Sequence, residues 1–264
     1  MISFGLSARV IIVTGGGSGI GRALVRALAA DGAKVAAADM HAANVEAVAG
    51  ECDAMPLVFD VRDEAATRDA VARVADRLGP IDGLVCSAGT SRAARAEALS
   101  RDQWDLVIDS NLTGSFLSAQ AVAGGMIAAG CGSIVFLSSL NGKGGHPGRA
   151  HYCASKAAVE GLTRDLACEW GRHGIRVNAV APNVTDTPLV RANLPEDYVR
   201  DVIIDRTPLG RMAEPDEIAA ACMFLLSEAA SYITGIVLPV DGGISAGYLT
   251  HRSGAEYGSR ALRN

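Results

Sequence analysis

The stretch Val10-Ile11-Ile12-Val13-Thr14-Gly15-Gly16-Gly17-Ser18-Gly19-Ile20-Gly21-Arg22-Ala23-Leu24-Val25 decides how this chain folds. A short, continuously apolar run reads as a strand covered on both faces, and it enters a glycine-rich turn that opens a helical pattern. Glycines let a backbone turn tightly and approach a phosphate, while the free N–H groups and the dipole at a helix start attract negative charge. A nucleotide P-loop is a rival reading, because Gly16 and Gly21 have its separation. It requires Lys followed by Ser or Thr, and Arg22-Ala23 stands there instead, so the phosphate-gripping ammonium and the Mg²⁺-binding hydroxyl are missing. The observed spacing, Gly15, Gly19 and Gly21, is G-x-x-x-G-x-G, which a purely structural turn also produces. What adds chemistry is the next apolar strand, which ends in Asp39, where a carboxylate can accept hydrogen bonds from a ribose diol. A 2′-phosphate beside that carboxylate would meet repulsion of about 4 kcal/mol per charge pair at roughly 4 Å and an effective dielectric of about 20. Neither Met40 nor Ser18 supplies a cation, and Arg22 is the one residue that complicates the point. NAD is therefore expected in preference to NADP.

Further short apolar runs alternate with helical stretches: Val35 to Ala38, Leu57 to Phe59, Gly83 to Cys86, Ile134 to Leu137, Ile175 to Val180 and Ile236 to Val240. With Val10 to Val13 they predict an α/β fold, a doubly wound, mostly parallel seven-stranded sheet of Rossmann type with helices on both faces. Helices are expected over Gly19 to Ala30, stopped at Gly32, and over Thr67 to Leu78, stopped by Gly79-Pro80. Ser100 with Gln103 reads as a capping box, and Pro215 sits at a first helical position before Asp216 and Glu217. A single domain is expected over 1–264. Its cofactor-binding part spans about 7–150 and its catalytic part about 130–243, with a lid over about 185–211 and a tail over 244–264.

The 264 residues, 49% hydrophobic and 20% charged, can bury a sizeable core, which excludes a disordered chain. A net charge of -5 offers no positive field for a phosphate backbone or an anionic membrane, so neither nucleic acid nor membrane is an expected partner. No apolar run reads as long enough to span a bilayer, and Met1 to Leu6 is too short for a signal core. The six cysteines, Cys52, Cys86, Cys131, Cys153, Cys168 and Cys222, are dispersed without metal-ligand spacing. Reduced thiols, no metal site and a cytoplasmic location are expected.

Ser139 follows the strand Ile134 to Leu137, at the carboxyl edge where open α/β sheets bind ligands. Tyr152 and Lys156 stand at i and i+4, on one face if they share a helix. An ammonium beside a phenol favours the phenolate, and a phenol titrating near neutrality serves as a general base. Taken alone, the pair also fits an ordinary solvated helix.

Thr14 to Gly21, Asp60-Val61, Ala88-Gly89, Asn111, Ser138-Ser139, Tyr152 to Lys156, Pro182 to Pro188 and Asp241-Gly242-Gly243 together resemble the short-chain dehydrogenase/reductase family, in order and spacing, over about residues 7–243. The resemblance implies that Tyr152 is the acid/base, that Lys156 lowers its pKa and binds the nicotinamide ribose, and that Ser139 orients the substrate oxygen. It implies that Asn111 holds a water in a proton relay with Lys156. In the cofactor site it implies contacts from Gly15, Ser18, Gly19, Ile20, Gly21 and Asp39. Asp60 with Val61 would meet the adenine, Ala88-Gly89 would stack on the cofactor, and Thr185 and Thr187 would reach the carboxamide and a phosphate. A homotetramer is implied as well, with Ala157, Ala158 and Gly161 allowing close helix approach. Two departures stand out. Cys86-Ser87 replaces the family's Asn-Asn, which puts a bracing amide in doubt, and Pro182-Asn183 replaces Pro-Gly at a turn where Asn tolerates positive φ.

These features imply an NAD(P)-dependent enzyme that moves hydride between nicotinamide and a secondary alcohol or ketone, such as a polyol, cyclic alcohol or hydroxy acid. A 3-oxoacyl thioester reductase using NADPH and a non-catalytic dinucleotide sensor are the alternatives. Leu189, Val190, Leu194 and Tyr198 are expected to close over an apolar part of the substrate. His146, Arg149, His151 and Asn141 are candidates for its polar groups.

Overall fold

In the computed structural model, which describes residues 3–247, seven parallel strands form one sheet in the order β3-β2-β1-β4-β5-β6-β7. They are β1 (Val10–Thr14), β2 (Lys34–Asp39), β3 (Met55–Val58), β4 (Gly83–Cys86), β5 (Gly132–Leu137), β6 (Ile175–Pro182) and β7 (Val237–Val240). The apolar runs are continuous because successive side chains enter different cores. Ile11 and Val13 of β1 pack with α1 (Gly19–Ala30), α2 (Ala42–Cys52) and α9 (Pro215–Leu226). Val10 and Ile12 pack with α3 (Glu64–Leu78), α5 (Gly114–Ala129) and α6 (Ala150–Trp170) on the other side. Strand order reverses between β1 and β4, and a crevice opens there at the carboxyl ends of the strands.

Element boundaries moved where local chemistry outweighed pattern. β3 runs over Met55–Val58 rather than Leu57 to Phe59, and it tolerates Pro56 because it is an edge strand. α3 starts earlier than Thr67, since the Asp63 carboxylate caps it by accepting the Ala66 N–H at 3.0 Å. The Ser100–Gln103 box caps α4 (Arg101–Ile108), and Pro215 occupies the first turn of α9. α4 and α5 join through a π-helical turn, Asp109–Thr113, into one helical stretch, Arg101–Ala129. Contrary to expectation, that stretch is long and apolar enough to cross a bilayer by length and composition. Here it packs on the sheet through Ala119, Val122 and Met126 and buries Asn111, Ser115 and Ser118. Of the tail, positions 248–264 lie outside the described residues.

The turn after β1 works only without side chains. A Cβ on Gly21 would lie 2.0 Å from the Gly15 carbonyl oxygen, and one on Gly15, at φ +68°, would lie 2.7 Å from the Ala88 nitrogen. Gly21→Ala is therefore expected to lower stability by roughly 2–3 kcal/mol through overpacking, read as the thermal midpoint of the free protein. An unchanged midpoint would mean that the turn relaxes at no cost.

Candidate active site

One cleft runs along the carboxyl ends of β1, β2, β4, β5 and β6. Its outer end is lined by Gly15, Ser18, Gly19, Ile20, Asp39, His41, Asp60, Val61, Ala88 and Gly89, and its inner end by Ser139, Tyr152, Lys156, Thr185 and Val190. Gly89, Thr90, Thr187 and Leu189 line both ends and make them continuous. Gly21 lies beneath the loop, in the helix-to-turn contact, rather than in the lining.

At the outer end the Asp39 carboxylate is held from two sides. Oδ2 accepts the Gly17 N–H at 3.1 Å, and Oδ1 accepts the His41 N–H at 3.0 Å and lies 3.1 Å from His41 Nδ1. A Cβ on Gly17 would sit 2.9 Å from Oδ2, so the loop can lie on this carboxylate only as glycine. Arg22 turns away, with Nη2 2.8 Å from Glu51, and does not line the cleft. Asp60 is forked by Arg62, with Nε 3.0 and 2.9 Å from its two oxygens. The hydrogen bonds from Arg62 hold the Asp60 carboxyl below the usual carboxylate range. The backbone cradle and the acid at its end fit a dinucleotide laid from Asp60 and Asp39 towards Tyr152.

At the inner end Tyr152 and Lys156 share one face of α6, as the i, i+4 spacing predicts. Lys156 Nζ lies 5.7 Å from the Tyr152 ring centroid and donates to the Leu137 carbonyl at 2.6 Å, which fastens the helix to the end of β5. Ser139 follows β5 in extended conformation, and its Oγ accepts the Asn141 N–H at 3.2 Å. Burial pushes the Tyr152 phenol up, and the groups that pull it back are Ser139, through a hydrogen bond, and the Arg149 guanidinium. Burial likewise pushes the Lys156 ammonium down, to about 8, with the Cys86 thiol in slight opposition.

Asn111 is fully buried behind the cleft, in the π-helical turn. Its Oδ1 accepts the Thr90 N–H at 2.8 Å, and its Nδ2 donates to the Thr90 carbonyl at 3.1 Å and to Ser155 Oγ at 3.0 Å. The side chain thus clamps the loop after β4 to α6.

The segment after β6 folds over the inner end as α7 (Pro188–Asn193), α8 (Glu196–Tyr198) and a π-helical turn, Val199–Ile204. Of its expected apolar residues, Leu189 and Val190 line the cleft, whereas Leu194 does not. Tyr198 instead bonds His146 Nε2 at 3.1 Å. Arg149 is buried, donating to Ser91 Oγ and, at 3.4 Å, to the Asn193 carbonyl. His151 is fully buried, and neither ring nitrogen has a hydrogen-bond partner among the described residues.

The sequence profile described as enoyl-(acyl carrier protein) reductase matches residues 15–245. The chain is 40% identical to a 3-oxoacyl-[acyl-carrier-protein] reductase of Thermotoga maritima, covering 90% of this chain and 98% of that one. It is 43% identical to a D-threitol dehydrogenase of Mycolicibacterium smegmatis, covering 91% and 94%. A solved gluconate 5-dehydrogenase from Burkholderia cenocepacia, in complex with NADP and tartrate, superposes with a TM-score of 0.88 at 38% identity, covering 93% of this chain and 98% of that one. The chain belongs to the short-chain dehydrogenase/reductase family. It is an NAD(P)-dependent oxidoreductase acting on CH–OH groups.

Both departures from the family pattern have physical replacements in this dehydrogenase/reductase. Cys86 is buried, with Sγ 3.7 Å from the Ser115 carbonyl, so a weak thiol contact braces β4 against α5. Asn183 does not adopt the positive φ allowed for it. Its Nδ2 donates to Thr207 Oγ1 at 3.1 Å and to the Asp241 carbonyl at 3.4 Å. No chemical pattern in the sequence singled out Thr90, which Asn111 holds through two hydrogen bonds, and adjacency to Ala88-Gly89 was its available signal.

A stability test follows from Lys156. Its folded pKa, about 8, lies below the unfolded value of about 10.4, so between these values the unfolded chain holds the proton that the folded chain has lost. The burial penalty is complete below about pH 8 and is relieved as pH rises towards about 10. The free protein should therefore gain stability over that window relative to Lys156→Met, read as the difference between their denaturation midpoints. Parallel curves would refute the assignment.

Proposed function

We propose that this enzyme uses NAD to move a hydride between nicotinamide C4 and a secondary alcohol or ketone, a polyol, cyclic alcohol or hydroxy acid, with Tyr152 handling the proton. The observation that carries the reading is the single cleft joining the Asp39 carboxylate to the Ser139, Tyr152 and Lys156 cluster. When bound, NAD takes up or returns the hydride and, oxidised, adds positive charge to the pocket. Tyr152 exchanges its hydroxyl proton with the substrate oxygen, and Ser139 hydrogen-bonds that oxygen and orients it. Lys156, fixed on the Leu137 carbonyl, grips the ribose hydroxyls and supports the phenolate electrostatically. With the cofactor's charge in place, the burial that holds Tyr152 high in the free protein is offset. Asn111 keeps the relay side of the pocket in register through Thr90 and Ser155, and Asp60, Val61, Thr185 and Thr187 complete the cofactor contacts.

Asp39 supports NAD over NADP, because its carboxylate is held in place and, among the described residues, no arginine or lysine lines that end of the cleft. The same charge counts against the 3-oxoacyl thioester reductase reading with NADPH, the alternative that the Thermotoga relative brings forward. Exposed Trp104, Phe116 and Ile127 on α4 and α5, together with the small residues Ala157, Ala158 and Gly161 of α6, support a homotetramer closed through these helices. The cytoplasm is the proposed compartment.

Assays of polyols, hydroxy acids and cyclic alcohols with each cofactor test the proposal. Tyr152→Phe is expected to keep dinucleotide binding while losing about 100- to 10,000-fold in kcat. The wild type should prefer NAD by about tenfold or more in kcat/KM. Undiminished turnover in the variant would remove the proton role, and a preference for NADP would remove the cofactor assignment.

A further inference from the structure

Glu160 is a buried acidic side chain that the chemistry of the cleft leaves unused. It follows Tyr152 and Lys156 at the same interval of four residues, on the stripe of α6 that meets the end of β5. Among the described residues its one hydrogen-bond partner is the Ser138 hydroxyl, 3.1 Å from Oε1, and no lysine, arginine or histidine forms an ion pair with it. A buried carboxyl with a single neutral partner weakens a fold, and an apolar residue would fill the same space more stably. The position therefore calls for a reason other than stability.

Its neighbours supply one. The Ser138 hydroxyl has one proton and two acceptors in reach, the Glu160 oxygen at 3.1 Å and the Lys156 carbonyl at 3.3 Å, while the Ser138 N–H donates to the Val180 carbonyl of β6 at 2.8 Å. Gly142 closes on the same carboxyl: a Cβ there would lie 2.7 Å from Oε1 and 2.9 Å from Ser138 Oγ. One carboxyl oxygen thus meets both ends of the turn from Ser138 to Gly142. Inside that turn Ser139 Oγ accepts the Asn141 N–H at 3.2 Å, and the Ser139 carbonyl accepts the Gly142 N–H at 2.9 Å. The direction of the Ser139 hydroxyl accordingly follows the backbone of the turn. Lys156 already fastens Leu137 to α6, and Glu160 extends the same seam by one residue, up to the edge of Ser139.

We propose that Glu160 is a positioning residue for proton transfer: through Ser138 and Gly142 it fixes the turn that aims the Ser139 hydroxyl at the substrate oxygen beside Tyr152. The inference rests on the reading of Ser139 as the residue that orients that oxygen, and it assigns the orientation to a side chain outside the cleft.

A double-mutant cycle on the full-length enzyme tests this, with the best substrate of the polyol, hydroxy-acid and cyclic-alcohol panel. Glu160→Leu, which keeps the bulk and removes the acceptor, should lower kcat by about 10- to 100-fold with KM within about twofold. In a Ser139→Ala background the same change should cost less than about threefold, because the group it positions is gone. Glu160→Gln, which keeps an acceptor, should recover the larger part of the loss. Losses that multiply in the double variant, or a Gln variant as impaired as the Leu variant, would overturn the proposal. Should Glu160→Leu fail to fold, Ser138→Ala removes the same hydrogen bond from the other side and enters the same cycle. Hydrogen–deuterium exchange gives an answer independent of turnover: the Asn141 and Gly142 amides should exchange about tenfold faster in Glu160→Leu than in the wild type, and unchanged exchange would refute the role of Glu160 in holding the turn. If Ser139→Ala alone costs nothing in kcat, the role given to Ser139 fails, while the exchange measurement still decides whether Glu160 fixes the turn.

Discussion

Two contacts between bare backbones set the geometry of this enzyme: Gly21 against the Gly15 carbonyl, and Gly15 against Ala88. They bring the start of α1 down onto the end of β1 and bring the end of β4 alongside it. The crevice at the strand-order reversal becomes a groove floored by backbone, with N–H groups and the helix dipole facing it. A side chain at either position would lift the helix or displace β4. Lys156, Tyr152 and Ser139 would then no longer sit beyond the open end of that groove.

The groove separates opposite charges along its length. Asp39 and Asp60 stand at one end, each held by donors, and the ammonium of Lys156 stands at the other against the Leu137 carbonyl. Both members of the inner pair are in an environment that disfavours their charged forms in the free protein, which is the usual cost of a preorganised site. The ammonium is thus held ready at the expense of stability.

Much of this was legible in sequence because it follows from periodicity and small-residue sterics. The seven strands, the glycine turn and the shared helix face of Tyr152 and Lys156 each depend on neighbours within a few residues. What escaped depends on contacts between distant segments. The Asn111 amide clamps Thr90 to Ser155. Asn183 serves as a polar strut to Thr207 and Asp241 rather than as a left-handed turn residue. The burial that pushes the Tyr152 phenol up, and the Ser139 and Arg149 groups that oppose it, depend on three-dimensional packing that spacing does not encode.

The buried Arg149 guanidinium reaches Ser91 on one side and the main-chain oxygen of Asn193, at the end of α7, on the other. Because that oxygen belongs to the peptide unit, the tether survives any change of side chain at position 193. The outer wall of the reaction chamber can therefore diversify in shape, altering which alcohol it admits, while its mooring stays fixed.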